Sequence, residues 1–316
     1  MSTDTLHIPM SFDSALAAFS GGAQTGERAN VDLIEGDCRE AMKALPEKSV
    51  HMVLTDPPYF LDGLDTDWKK GGADAVKGTG SVGGLPIGMK FDPRQGEALQ
   101  GFIKDAADEW MRLLVPGGFA LAFSQPRLAH RIAMGMEEAG FEIRDQICWR
   151  FTQRAQFKAF TQNHFVERMD IPQARKRELI KSMGGRRTPQ LRPQFEAVIL
   201  GQKPREGTFV ENWEKYEVGL MDAASTLDSK VPANVMTWEK PSSAERGAAN
   251  GHLTPKPVKL LEHMIELFTK PGQTVLDCFL GSGSTAVAAT RMRRNCIGIE
   301  INPEYIEIAK QRIGER

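Results

Sequence analysis

From Val31 onward the chain alternates short apolar runs with stretches of helical spacing, the rhythm of an α/β domain. Residues 31–34 (VDLI) predict a strand, 39–45 a short helix, and 51–55 (HMVLT) a second strand that runs straight into Asp56-Pro57-Pro58-Tyr59. From Phe60 to Gln95 the text is rich in Gly and Asp without a sustained period, which predicts a long mobile loop with a functional role. Residues 98–115 form an amphipathic pattern with Pro116-Gly-Gly118 as the helix stop, 119–123 (FALAF) a buried strand, and 126–140 a helix ended by glycine. Strands are predicted again at 141–151 and 195–201, separated by a segment of different character, 152–194. Residues 203–252 are polar, with scattered Trp213 and Trp238 and the run KPSSAERGAANGH, and read as extended or loop structure. The pattern then resumes as a helix to Phe268, a strand 274–280, a helix 284–292, a strand 296–301 and a last helix with Asn302 as N-cap and Pro303 in its first position.

The 316 residues, 41% of them hydrophobic, suffice for one large α/β domain or two modest ones. No stretch approaches the roughly 18 apolar residues of a membrane span, and residues 1–30, an N-terminal extension, lack the regions of a signal peptide, so the expected location is the cytoplasm. Cys38, Cys148, Cys278 and Cys296 lie far apart without zinc spacing and read as small buried hydrophobes in a reducing compartment. With a net charge of −1, any nucleic-acid surface must come from local asymmetry.

Asp277-Cys-Phe-Leu-Gly281-Ser-Gly283-Ser-Thr-Ala286 lies where an apolar strand becomes a helix, and Glu300 ends the following strand. Glycines let the backbone approach a ligand, the helix start offers free amides, and an acid on the next strand tip accepts from ribose hydroxyls. The spacing alone leaves NAD and S-adenosylmethionine (SAM) both open. Few strands follow this turn, so the rest of its sheet must be written upstream, and the domain is expected to be circularly permuted. The segments VDLIEGD, HMVLTDPPY and TVLDCFLGSGS should then end together at the carboxyl edge of one sheet.

An exocyclic base amine is a poor nucleophile because its lone pair is delocalised into the ring. A carboxylate and a carbonyl that accept both its N–H bonds localise that pair, and Asp56 and Pro57 can supply them, stiffened by Pro58, with Tyr59 as a ring for an extruded base. Taken alone, the tetrapeptide could equally be a rigid loop with a solvated aspartate.

Together these residues resemble the β group of DNA amino-methyltransferases, in which the catalytic motif precedes the cofactor motif. The resemblance is carried by Gly36-Asp37, Asp56-Pro-Pro-Tyr59, His252-Leu-Thr-Pro-Lys256-Pro257 and Asp277-x-Phe279-x-Gly281-Ser-Gly283-Ser-Thr285 in that order, with Pro116-Gly-Gly118 and Cys148-Trp149 as lesser matches. It covers roughly Val31 to Ala309 apart from the insert; one departure is that Leu253-Thr254 precede Pro255 where the family usually has His-Pro-Thr.

The resemblance implies a permuted Rossmann-like SAM-dependent fold, with a mostly parallel seven-stranded sheet between helices. It divides the chain into a catalytic half 31–151 with its loop at 60–95, an insert 152–194, a strand 195–202, a segment 203–252 and a cofactor half 253–316. It further implies that Asp277, Phe279, Gly281, Ser282, Gly283, Ser284 and Thr285 line the methionine part of SAM, with Asp56 close by. Glu300, Ile301 and Asn302 would flank its ribose, Asp37 and Cys38 its adenine, and Thr254, Lys256 and Pro257 its carboxylate end. S-adenosylhomocysteine is the implied product, and no metal is required. Aspartate at position 56 resembles the adenine-N6 members, whereas cytosine-N4 members more often carry serine there.

Between Arg150 and Arg192 a strong positive excess, including Arg154, Lys158, Arg175, Lys176, Arg177, Lys181, Arg186 and Arg187, is interleaved with phenylalanines and amides. Such a run is commonly a solvated face; beside a base-modifying motif it reads as a target-recognition region that contacts phosphates of double-stranded DNA. A site-specific adenine-N6 enzyme of bacterial or phage origin that flips its target base is therefore expected. A cognate restriction endonuclease and a second copy of the chain are candidate partners. Cytosine N4, RNA or a protein glutamine are alternative acceptors; an NAD-dependent dehydrogenase and a non-catalytic DNA-binding protein are the readings from other classes.

Overall fold

The computed structural model describes residues 29–58, 93–152, 159, 161–189, 191–224, 232–242 and 255–314. Tyr59, most of the predicted loop, Arg154, Lys158 and Thr254 lie outside the described residues.

The central strands are apolar at successive positions because helices cover both of their faces. In β2 (Val50–Thr55) and β3 (Leu114–Ser124), alternate side chains enter different cores. Met52, Leu54, Phe119, Leu121 and Phe123 pack with Leu260, Leu261, Met264 and Ile265 of α7 (Val258–Phe268). Val53, Ala120 and Ala122 face Leu99, Ile103, Ala106 and Trp110 of α2 (Pro93–Leu113) and Ile132 and Met136 of α3 (Ala129–Glu138). Small residues on that side let two helices lie close to the sheet.

The remaining strands are β1 (Val31–Glu35), β4 (Glu142–Arg150), β5 (Phe195–Gln202), β6 (Val235–Thr237), β7 (Thr274–Asp277) and β8 (Asn295–Glu300). One sheet results, in the order β1-β8-β7-β2-β3-β5-β4-β6. Neighbours are parallel from β1 to β3, β5 runs antiparallel between β3 and β4, and β6 joins β4 in parallel. The order is the permuted one: strands written last occupy the middle. From β7 the chain crosses through α8 (Ser284–Arg291) to β8 on one side, while from β2 it reaches β3 on the other. The carboxyl ends of β7 and β2 therefore flank the switch point of the sheet, where open α/β proteins bind ligands. The β1 tip lies one strand away, beyond β8, and Gly36 N donates to Glu300 O at 2.9 Å.

Four local expectations are revised. The sheet has eight strands rather than seven, the addition being β6, whose Met236 is the one buried residue of its three. Pro116-Gly-Gly118 lies inside β3, and α2 stops at Leu113 without them. The region 203–252 holds α6 (Phe209–Tyr216), started by a capping box in which Glu211 N donates to Thr208 Oγ1 and Thr208 N to Glu211 Oε2. Within the insert lie α4 (Asn163–Glu167) and α5 (Gln173–Ser182), the latter with no buried residue. The short α1 (Cys38–Ala41) follows β1, and α9 (Pro303–Gly314) closes the described chain. Among the described residues no helix is long and apolar enough to cross a membrane.

Candidate active site

At the end of β7, Asp277 is 4% exposed and its Oδ1 accepts from Thr55 Oγ1 at 2.7 Å and from Phe279 N at 3.1 Å. Burial pushes its carboxyl up to about 6, against the bonds from Thr285, Thr55 and Phe279 that favour the ion. Past it the backbone turns through Gly281 (φ 53°) and Gly283 (φ 82°) into the first turn of α8. A Cβ on Gly283 would stand 2.8 Å from that of Ala309, so the turn is closed against α9 as well as conformationally restricted to glycine. From α9, Arg312 Nη1 donates to Ser282 O at 2.7 Å, Ser282 Oγ at 2.9 Å and Ser284 Oγ at 3.2 Å. Glu300, at the β8 tip, accepts from Gly281 N at 2.8 Å on Oε2 and from Asn302 N at 2.9 Å on Oε1. Two such bonds leave half of a carboxylate's roughly four acceptor positions open; burial raises the proton affinity of this group.

Opposite this turn stands the β2 tip. Asp56 follows β2 directly, with its side chain 25% exposed, while Pro57 is buried behind it. The ammonium of Lys256, carried on the segment that enters α7, donates to Asp56 Oδ2 and lies 3.4 Å from Glu196 Oε2 on β5. It also stands 5.1 Å from the ring centre of Phe123 on β3. Burial opposes the charge on Lys256, but the Asp56 and Glu196 carboxylates outweigh it and hold the group above the ordinary lysine range. Thr55, Asp56, Phe123, Lys256, Asp277 and the turn 279–282 line one cleft of about 420 Å³, counting its part open to solvent. Such a cleft holds an amide-lined, glycine-floored half and a half with an accessible carboxylate, an arrangement suited to a reaction between two bound groups.

The family model for DNA methylases of the N6/N4 type matches residues 50–311. The chain belongs to this family. Among its relatives, the type II methyltransferase M.HindIII of Haemophilus influenzae is 29% identical over 292 residues, covering 86% of this chain and 92% of that protein. The solved cytosine-N4-specific PvuII DNA methyltransferase aligns with a TM-score of 0.61 at 19% identity, covering 90% of this chain and 86% of that one. A DNA modification methylase of Thermus thermophilus, TTHA0409, solved in complex with SAM, aligns with a TM-score of 0.52 at 21% identity, covering 90% and 93%. These two likenesses concern the fold.

The methylase thus brings Asp56, Lys256, Asp277, Phe279 and Gly281 to Thr285 together around one cleft, with Glu300 one strand further out. Asp37 lies beyond that: it caps α1, accepting from Arg39 N at 3.0 Å, and its pairing with the Arg39 guanidinium holds it below the usual carboxylate range. Arg39 in turn lies over Phe102, whose ring is 5.7 Å from that of Phe279, and Cys38 is buried. Pro257 is buried at the N-cap of α7, and the Asn302 side chain caps α9 through Glu304 N at 2.9 Å.

In the insert Arg175, Arg177, Lys181, Arg186 and Arg187 are exposed. Some have local partners: Arg175 pairs with Glu178 at 2.9 Å, Lys176 Nζ donates to Glu167 O at 2.7 Å, and Arg187 Nη1 to Ala159 O at 3.2 Å. Sequence reasoning passed over Thr55, Phe123, Glu196 and Arg312. For Glu196 a signal was present: strand alternation puts it on the same face as Val198 and Leu200, so a charge stands where the pattern demands a core residue.

Proposed function

We propose that this DNA methylase transfers a methyl group from SAM to N6 of adenine in duplex DNA. The observation that carries the reading is Asp56, an accessible carboxylate on the lip of the cleft whose other wall is the glycine turn. When bound, SAM supplies a methyl sulfonium as electrophile.

The residues present suit that cofactor. The turn at Gly281 and Gly283 leaves room for a ligand against backbone, and Asp277, Phe279, Ser282, Ser284 and Thr285 surround the methionine end. Glu300 keeps acceptor capacity for ribose hydroxyls, with Ile301 and Asn302 beside it. Phe102 and Phe279 offer apolar rings near Asp37 and Cys38 on the adenine side. Support comes from the TTHA0409 neighbour, which was solved with SAM.

Asp56 accepts one N–H of the target amine and the Pro57 carbonyl the other, so the nitrogen pyramidalises and its lone pair faces the cofactor side of the cleft. Pro57 and Pro58 fix the backbone dihedrals that aim both oxygens. A base reaches such a recessed carboxylate only by leaving the helical stack. The exposed cations Arg175, Lys176, Arg177, Lys181, Arg186 and Arg187 serve as phosphate contacts, since solvated charges are free to trade water and counter-ions for a backbone.

Adenine is favoured by aspartate at position 56, in keeping with the resemblance. The second reading, cytosine N4, is favoured by the PvuII neighbour, which has that specificity on the same fold. Asp56→Ala is expected to lower transfer of labelled methyl to mixed-sequence DNA by about a thousandfold or more while calorimetric SAM binding persists. Nucleoside analysis of DNA from expressing cells then decides between N6-methyladenine and N4-methylcytosine; transfer that survives Asp56→Ala would sink the acceptor role.

A further inference from the structure

Lys256 is 8% exposed, yet it keeps its charge among groups from three different strands: Asp56 beyond β2, Phe123 on β3 and Glu196 on β5. The family resemblance assigns a lysine here to the carboxylate end of the cofactor. Its ammonium, however, is committed on the acceptor side of the cleft. The charges continue outward in alternation, because Lys240 Nζ lies 3.5 Å from Glu196 Oε1 while resting 4.1 Å over the ring of Phe151. Lys240, Glu196, Lys256 and Asp56 thus form a balanced row, two cations and two carboxylates, that ends at the cleft.

We propose that Lys256 is a positioning residue of the acceptor pocket: anchored by Glu196, its ammonium holds the Asp56 carboxylate at the lip of the cleft in the orientation that receives the substrate amine. The inference rests on the acceptor role of Asp56 proposed above. The physical need is plain. Asp56 has a second carboxylate near it in Asp277, which is fully buried and already favours its proton. A partly desolvated carboxylate with only a like charge for company takes up a proton, and a protonated acid donates where the amine needs an acceptor. A fixed cation prevents that. Held by Asp56 alone, a buried ammonium would be drawn wholly onto that group and would cover its acceptor positions; Glu196 divides the attraction and keeps part of Asp56 available.

The groups that face Lys256 and its partners are Asp56, Glu196, Lys240 and Asp277, so the pH profile of single-turnover methyl transfer reads the row directly. In Lys256→Met the acid limb moves up by about 1–3 pH units and the rate at neutral pH falls about tenfold or more, while calorimetric SAM affinity stays within about twofold. Lys256→Arg restores most of the rate. In Glu196→Gln the alkaline limb moves down instead, because a buried ammonium with one counter-ion loses its proton more readily; this variant carries the test if Lys256→Met does not fold. An acid limb that stays in place in Lys256→Met, with SAM affinity weakened about tenfold or more, would put the lysine on the cofactor and overturn the proposal. Both limbs unmoved in Glu196→Gln would overturn the anchoring role of Glu196. Full transfer by Asp56→Ala defeats the acceptor reading itself, whatever the Lys256 variants do.

Discussion

The glycine turn between β7 and α8 and the basic helix α5 treat their polar residues in opposite ways. Around the turn Asp277, Ser282, Ser284, Thr285 and Glu300 are all buried, and Asp277 and Glu300 are held by backbone amides while Arg312 ties down both serines. In α5 no residue is buried, and among the described residues its cations pair with one carboxylate and one main-chain oxygen. A buried polar group must be paired, so each one constrains its neighbours and its identity is bound to the fold. A solvated charge is under no such constraint, so its identity answers to a partner outside the chain.

The contrast is broken most directly at Gly283. Gly283→Val places a branched side chain at φ 82° against Ala309. It should destabilise the protein by about 3 kcal/mol or more and weaken SAM binding at least about a hundredfold, as melting and calorimetry would show; unchanged melting would mean that the turn is not closed by α9.

Asp277→Asn should act next most strongly, and in the opposite direction. Asp277 has its carboxyl pushed from 3.8 to about 6 by burial, so the native state binds its proton more tightly than the unfolded chain does. Its contribution is present below about pH 4 and is lost as pH rises toward and through about 6. The amide, which can still accept from Thr55 and Phe279, should therefore be more stable than the parent by about 2–3 kcal/mol at pH 8. The gain should vanish below about pH 4. A gain independent of pH would refute the titration as its cause. Weaker cofactor binding is expected alongside, the mark of a costly charge kept for function.

The smallest effect on the fold is expected from replacing Arg175, Lys176 and Arg177 together by alanine. Melting should change by less than about 0.5 kcal/mol. DNA affinity should fall, and the slope of log affinity against log salt should flatten by up to about 3. Unaltered DNA affinity and salt slope would remove the helix from the DNA-binding surface.

Much of the fold was legible because its central strands and helices each hold a single period over enough residues to be recognised. What escaped were elements set by packing. β6 is three residues long, with one buried side chain, and exists because β4 leaves it an edge: Cys148 N donates to Asn234 O at 2.7 Å and Trp149 Nε1 to Trp238 O at 2.7 Å. β3 absorbed Pro116-Gly-Gly118 because Asn212 Nδ2 takes up Pro116 O at 3.0 Å and Gln202 Nε2 takes up Gly117 O at 2.9 Å, partners no local rule supplies. The start of α6, by contrast, was written in Thr208 and Glu211 and could have been read.

The same division runs through the site. The sequence by itself determined the turn, the Asp-Pro-Pro tip and the caps, because their hydrogen bonds close over two residues: Phe279 to Asp277, Asn302 to Glu300, Glu304 to Asn302. Groups so near along the chain meet whatever the rest does. Only the tertiary structure decided that Thr55 would hold Asp277 across 222 residues, that Lys256 would reach Asp56 across 200, and that Glu196 would join them. Those contacts cross strands brought together by the order of the sheet, and strand order is set by the burial of two whole cores rather than by any residue near the contact.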